Sequence, residues 1–123
     1  MRTAILTVLL QTYAYSQCDL PPSEWLNKLS EIERLDSPME QKIGTLSSLK
    51  QDYETCFHRN DSVYARIAHR LGDFYRINGD FENGIRFANE AVSINNQPLP
   101  GAQRSYLAHT YYNLALYHNL LGL

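Results

Sequence analysis

Residues 65–94 read ARIAHRLGDFYRINGDFENGIRFANEAVSI. Ala65, Ala68, Leu71-Gly72 and Tyr75 recur at three- and four-residue spacing, which predicts one face of a helix. Gly79-Asp80 then interrupts the pattern. Glycine readily takes the left-handed conformation that ends a helix, and aspartate caps the next one. Ile85, Ala88, Ala91, Val92 and Ile94 resume helical spacing after the turn. The stretch is therefore a helix, a tight reversal and a second helix. Residues 108–123, AHTYYNLALYHNLLGL, repeat its first half: Ala108, Tyr111, Leu114-Ala115 and Gly122 align with Ala65, Ala68, Leu71-Gly72 and Gly79 at an offset of 43 residues.

Upstream, two more helices are expected. Pro21 and Pro22 fix an extended approach, Ser23 is placed to cap, and Trp25, Leu26, Leu29 and Ile32 follow at helical spacing to about Leu35. Ser37-Pro38-Met39-Glu40 reads as a capping box with proline at the first helical position. Ile43, Leu46, Leu49, Tyr53 and Cys56 continue the stripe. A connection of about two residues makes this pair an antiparallel hairpin. Asn60 or Asp61 caps the third helix, which runs to about Asn78. Asp80 opens the fourth, residues 96–101 form a loop, and a fifth helix spans about Gln103 to Leu121. No strand-like alternation interrupts the series, so the fold class is all-α, with five helices.

The N-terminus has the form of an export signal. Arg2 precedes a short apolar run, Ala4–Leu10, and Ala14-x-Ser16 offers small residues at a cleavage site. The predicted organisation is a signal peptide over 1–16, an N-terminal helical hairpin over 17–60, a helix-turn-helix repeat over 61–96, and the first helix of a second, incomplete repeat over 102–123. The predicted compartment is periplasmic or extracellular. There a Cys18–Cys56 disulfide competes with two free thiols. Cys18 precedes the first helix and Cys56 ends the second, so the hairpin brings them together.

The net charge of −2 at pH 7 gives no footprint for nucleic acid. A stacking platform of Tyr106, Tyr111, Tyr112 and Tyr117 has no basic groove to accompany it. No segment approaches the roughly 20 apolar residues of a membrane span. The four histidines make no metal-ligand spacing, and Cys56-Phe57-His58 has no orienting third group. These patterns imply no catalytic residues, no metal and no cofactor.

The 65–94 stretch resembles a tetratricopeptide repeat. Leu71-Gly72, Tyr75, Gly79-Asp80-Phe81, Ile85 and Ala91-Val92 carry the resemblance, and Leu114-Ala115 carries it into the second copy. Gly84 stands where alanine is usual. Ala88 stands where a large aromatic is usual, with Phe87 one position early. The resemblance implies an antiparallel αα-hairpin array wound as a right-handed superhelix, and a non-catalytic protein–protein interaction function. It also implies that the first helix of each pair lines a concave groove, which places Arg66, His69, Asp73 and Arg76, then His109, Tyr112 and Leu116, towards a polar or acidic peptide. Asp73 is also placed to pair locally with His69 or Arg76. The lysine that clamps a carboxylate in some members is replaced by His69. The whole looks like the N-terminal part of exported tetratricopeptide proteins of the Bacteroidetes type. Some of these carry a CHAT-class peptidase domain after the array, and others a signalling domain. In that setting further repeats of the same polypeptide follow the fifth helix.

Overall fold

The computed structural model describes residues 17–57, 61–95 and 104–122. The expected export signal, the 96–101 loop and His58 lie outside the described residues. Within them the chain forms five helices and no strand: α1 (Pro22–Glu33), α2 (Met39–Cys56), α3 (Ser62–Ile77), α4 (Phe81–Asn95) and α5 (Arg104–Leu121).

The α3–α4 turn follows from two residues. Gly79 has φ +84°, a conformation that only glycine adopts without a steric penalty. Its amide donates to the Arg76 carbonyl at 3.0 Å, and the Asp80 amide donates to that of Tyr75 at 2.9 Å. This pair of bonds satisfies carbonyls that a helix end otherwise leaves open. The Asp80 carboxylate then accepts from the Asn83 amide at 3.2 Å. At the start of α3, Asp61 accepts from the Tyr64 amide at 2.8 Å.

The first hairpin departs from the sequence reading in three details. Pro21, not Ser23, is the N-cap of α1, because Pro22 supplies a pre-set φ for the first helical position. The capping box at Ser37 does not form. Pro38 is itself the N-cap of α2, at φ −54° and ψ 145°, so the helix begins one residue later than that box requires. The connection, residues 34–38, is longer than the expected two residues, because α1 has already ended at Glu33.

Side-chain pairings give the helix directions. Lys42, near the start of α2, donates to the Glu33 carbonyl at the end of α1 at 2.8 Å, and Cys18 and Cys56 are joined at the opposite end of the hairpin. Lys42 lies over the Phe74 ring and Lys50 over Tyr64, so α2 and α3 are antiparallel. Tyr64 meets Glu90 and Gly72 meets Gly84, which makes α4 antiparallel to α3. His69 meets Thr110, and Gly72 meets Tyr117, so α5 runs parallel to α3. Consecutive helices alternate in direction. Helix α3 is the hub: it packs against each of the other four.

One apolar core joins Trp25, Leu29 and Ile32 of α1 to Ile43, Leu46, Leu49 and Tyr53 of α2, to α3, and to Phe87 and Ile94 of α4. Trp25 packs edge-on against Tyr53 and Phe57, with ring centroids 5.1 and 5.9 Å apart. A polar knot crosses the three middle helices. The Tyr64 hydroxyl is bonded to Glu54 on α2 and Glu90 on α4, and Lys50 bridges to Glu54 at 2.6 Å. The loop that the Cys18–Cys56 bond closes has a sequence separation of 38, and the two Cα atoms are 5.0 Å apart.

Helices α3 and α4 approach backbone to backbone at Gly72. A Cβ there would lie 3.1 Å from the Gly84 carbonyl oxygen and 3.3 Å from the Ala88 nitrogen. Phe87 lies beside this contact, its Cβ 3.5 Å from the same point, and its ring stacks on Tyr75 at 5.6 Å. Gly84 carries no side chain because Tyr117 occupies that space. A Cβ on Gly84 would lie 2.5 Å from the Tyr117 hydroxyl, which donates to the Gly72 carbonyl at 3.2 Å. Burial pushes that hydroxyl's pKa up to about 12, so it remains a proton donor across the neutral range.

Two outcomes follow for stability. Gly84→Ala gains up to ~1 kcal/mol of helix propensity but forces Tyr117 off Gly72, with overpacking worth about 1–3 kcal/mol. A net loss is expected in denaturant titration, and it shrinks when the same change is made in Tyr117→Phe. Gly72→Leu meets backbone on two sides and is expected to cost at least as much; an unchanged melting temperature would contradict the contact. Separately, Cys18→Ser with Cys56→Ser is expected to lower stability by up to roughly 4 kcal/mol, the chain-entropy value for a loop of this length. Alkylation of both thiols in the denatured protein, isolated without reductant under oxidising conditions, would contradict the bond.

Candidate functional site

A cleft of about 440 Å³ opens between α3 and α5, with His69, Arg70, Asp73, Arg76, His109, Tyr112 and Asn113 along its walls. The α3 contributions fall three or four residues apart, so a single helical face presents them. The α5 contributions do the same. Because α3 and α5 are parallel, the two faces run alongside each other and are not crossed at one point.

Asp73 is the centre of the site. Its side chain is 12% exposed. It accepts from the Asn113 amide nitrogen at 2.6 Å and from Arg70 Nη1 at 3.3 Å. Arg76 Nη2 and His69 Nε2 each lie 3.6 Å away. Arg70 is also held from α1, where its Nε donates to Glu33 Oε1 at 2.7 Å. One carboxylate thus organises two guanidinium groups and an imidazole of α3 and an amide of α5. Arginine is suited to this position, because its planar fork serves Glu33 and Asp73 at once.

His69 is the buried base of the cleft, at 5% exposure. Its Nδ1 is 2.8 Å from the Thr110 hydroxyl, and Thr110 is wholly buried. Burial lowers the pKa of the imidazole. Asp73 opposes that effect, while Arg70, His109 and Arg66 add to it. His109 and Tyr112 form the opposite, exposed wall, with Tyr112 63% exposed.

Of the groove residues expected from sequence, the cleft gathers His69, Asp73, Arg76, His109 and Tyr112. Arg66 lies half-buried one turn earlier and does not line it, and Leu116 is half-buried away from it. Asp73 pairs with both partners expected for it and with Arg70 as well. Sequence reasoning missed Arg70, Asn113, Thr110 and Glu33. Arg70 and Asn113 sit three and four residues from Asp73 and His109, so helical spacing contained a signal for them. Nothing in the spacing marks Thr110 or Glu33, which depend on how separate helices pack.

Among the repeat positions, Leu71, Gly72 and Ala91 are buried, Tyr75 and Phe81 are half-buried, and Gly79 and Asp80 form the turn. Leu114 is half-buried and Ala115 exposed, unlike their counterparts Leu71 and Gly72. Gly122 has φ +67°, as its counterpart Gly79 has φ +84°. Cys56 is bonded to Cys18, so the Cys56–His58 pair has no free thiol. Among the described residues no three His, Cys, Asp or Glu side chains are grouped to hold a metal ion. No helix among them is long and apolar enough to cross a membrane. Compared with known proteins, the chain matches no family model, no curated protein and no solved structure.

Asp73→Asn keeps the side-chain shape and removes the charge that offsets Arg70 and Arg76. A loss of about 1.5–3 kcal/mol is expected, the range for hydrogen bonds to a charged group. Denaturant titration measures it, and added salt is expected to recover part of it by screening the arginines. A variant as stable as the parent at low salt would show that Asp73 does not organise the cleft.

Proposed function

We propose that the chain is a non-catalytic protein-interaction module of the tetratricopeptide type, exported from the cytoplasm, and that its α3–α5 cleft grips a polar or acidic peptide segment. The observation that carries this reading is the cleft itself. Its walls come from two parallel helices, and it holds arginine, histidine, tyrosine and asparagine side chains around one carboxylate. Arg70 and Arg76 offer charged donors, Asn113 an amide, and Tyr112 an exposed ring for a peptide side chain to rest on. The close approach at Gly72 and the Gly79-Asp80 reversal support the repeat assignment. The apolar run and small-x-small pattern of residues 1–16 support export, and the Cys18–Cys56 bond suits an oxidising compartment.

The outer side of α5 favours a second, compatible reading. Tyr111, Leu120 and Leu121 are 49%, 61% and 43% exposed. Downstream repeats of the same polypeptide would cover them, making the chain the N-terminal scaffold of a longer exported peptidase or signalling protein. The nucleotide sequence after the Leu123 codon decides between the two.

Selection from a random peptide library, followed by fluorescence anisotropy on the enriched peptides, tests the binding reading. Polar or acidic peptides are expected, with affinity on the order of tenfold weaker for Arg76→Ala or Tyr112→Ala, which corresponds to ~1.4 kcal/mol. No enrichment, or binding indifferent to both substitutions, would sink it. For export, mass spectrometry of the periplasmic protein is expected to show Gln17 as the first residue. A cytoplasmic product retaining Met1 would contradict this.

A further inference from the structure

We propose that His69 makes the α3–α5 contact a proton-sensitive joint: acidification charges the imidazole inside the contact and lifts α5 away from α3. The proposal goes beyond peptide binding and requires no ligand.

Three features of the geometry lead to it. First, His69 is 5% exposed and is bonded across the contact to a wholly buried Thr110. The imidazole meets solvent only through the floor of the cleft, and most of its surface is covered by the α3–α5 contact. Second, the surroundings are poor hosts for another positive charge. On α3 the facing groups are Arg66, Arg70 and Asp73, with Arg76 beyond Asp73; on α5 they are His109, Thr110 and Asn113; from α1, Glu33 is already engaged by Arg70. The Asp73 carboxylate, 3.6 Å from His69, is shared with Arg70, Arg76 and Asn113. A charged imidazole competes with both guanidinium groups for it. Third, the polar bonds across the α3–α5 contact include Thr110–His69, Asn113–Asp73 and Tyr117–Gly72. Protonation acts directly on the first and redistributes the carboxylate of the second.

The sign follows from linkage. Burial lowers the imidazole pKa in the closed state, whereas in the open state it returns to the usual value near 6.5. As pH falls through about 6.5 the open state takes up the proton first, so the closed state loses stability. Above about pH 7.5 both states are neutral and the effect vanishes. Between pH 7.5 and pH 5 the open population therefore rises by up to about 30-fold, the limit for a closed state that stays unprotonated.

Hydrogen exchange on the whole chain, corrected for intrinsic rates at each pH, tests the joint. Between pH 7.5 and 5 the amides of α5 are expected to lose protection while those of α1 and α2 keep theirs. His69→Gln is expected to abolish the pH dependence, and His109→Gln, at the exposed wall of the same cleft, to retain it. Protection of α5 that does not change with pH overturns the proposal. So does an equal loss in α1 and α2, which signals global unfolding. A pH dependence that survives in His69→Gln, or disappears only in His109→Gln, overturns it too. If His69→Gln does not fold, the imidazole is titrated by NMR in the parent protein. A proton taken up by His69 above pH 6.5 with α5 still protected then overturns the joint, and uptake below 6.5 in step with α5 exchange supports it. Peptide binding is measured at neutral pH, so failure of the joint leaves the binding reading standing, and the converse holds.

Discussion

The arrangement depends on the backbone contact between α3 and α4 at Gly72. Two helices ordinarily stand 8–10 Å apart because side chains hold them there. Here Gly72, Gly84 and Ala88 remove those side chains over one turn, and the helix backbones close to van der Waals distance. The notch left beside Gly84 has a particular shape, and the Tyr117 ring occupies it, with its hydroxyl on the Gly72 carbonyl. The position of α5 is therefore set by a gap that exists only because α3 and α4 touch. The α3–α5 cleft inherits its width from the same contact. A helix-destabilising glycine in α4 is in this sense the residue that places the cleft.

Much of this was legible in the sequence, for a physical reason. Turn chemistry and helix periodicity are local, so Gly79-Asp80, the Asp61 cap and the apolar stripes predict the helices from neighbouring residues alone. The shared face of His69, Asp73 and Arg76 is local in the same way. What the sequence concealed depends on packing between helices. Gly84 reads as a propensity penalty until Tyr117 is seen above it. Phe87 reads as a misplaced aromatic until its ring is seen stacked on Tyr75. Glu33 reads as one more charge on α1, yet it holds Arg70 at the edge of the cleft. The first hairpin misled in a different way. Pro38 has two compatible roles, cap or first helical residue, and local pattern does not choose between them.

Helix α3 carries two incompatible demands on adjacent faces. Towards α2 and α4 it presents Tyr64, Ile67, Ala68, Leu71, Gly72 and Phe74, all buried. Towards α5 it presents His69 and Asp73, which are polar yet largely withdrawn from water. A helix buried nearly all round is normally apolar all round. Leaving polar groups in such a place costs free energy unless each is partnered, and a partly satisfied cluster is the weakest point of a packed structure. Here the partners come from α5 and from α3 itself, and they converge on one carboxylate.

The α1–α4 body is held by a continuous apolar core, a disulfide and the Lys50–Tyr64–Glu90 knot. Helix α5 packs mainly on α4, with Phe81 against the Tyr117 ring, and meets α3 through that ring and through hydrogen bonds at His69 and Asp73. Apolar burial is indifferent to protons, whereas an imidazole inside a cluster of guanidinium groups is not. Because the same side chains line the cleft and fasten its far wall, anything that draws on Asp73 or Arg70, whether a proton on His69 or an acidic group in the cleft, also acts on the position of α5. The proposed recognition and the seating of α5 would therefore draw on one set of charges.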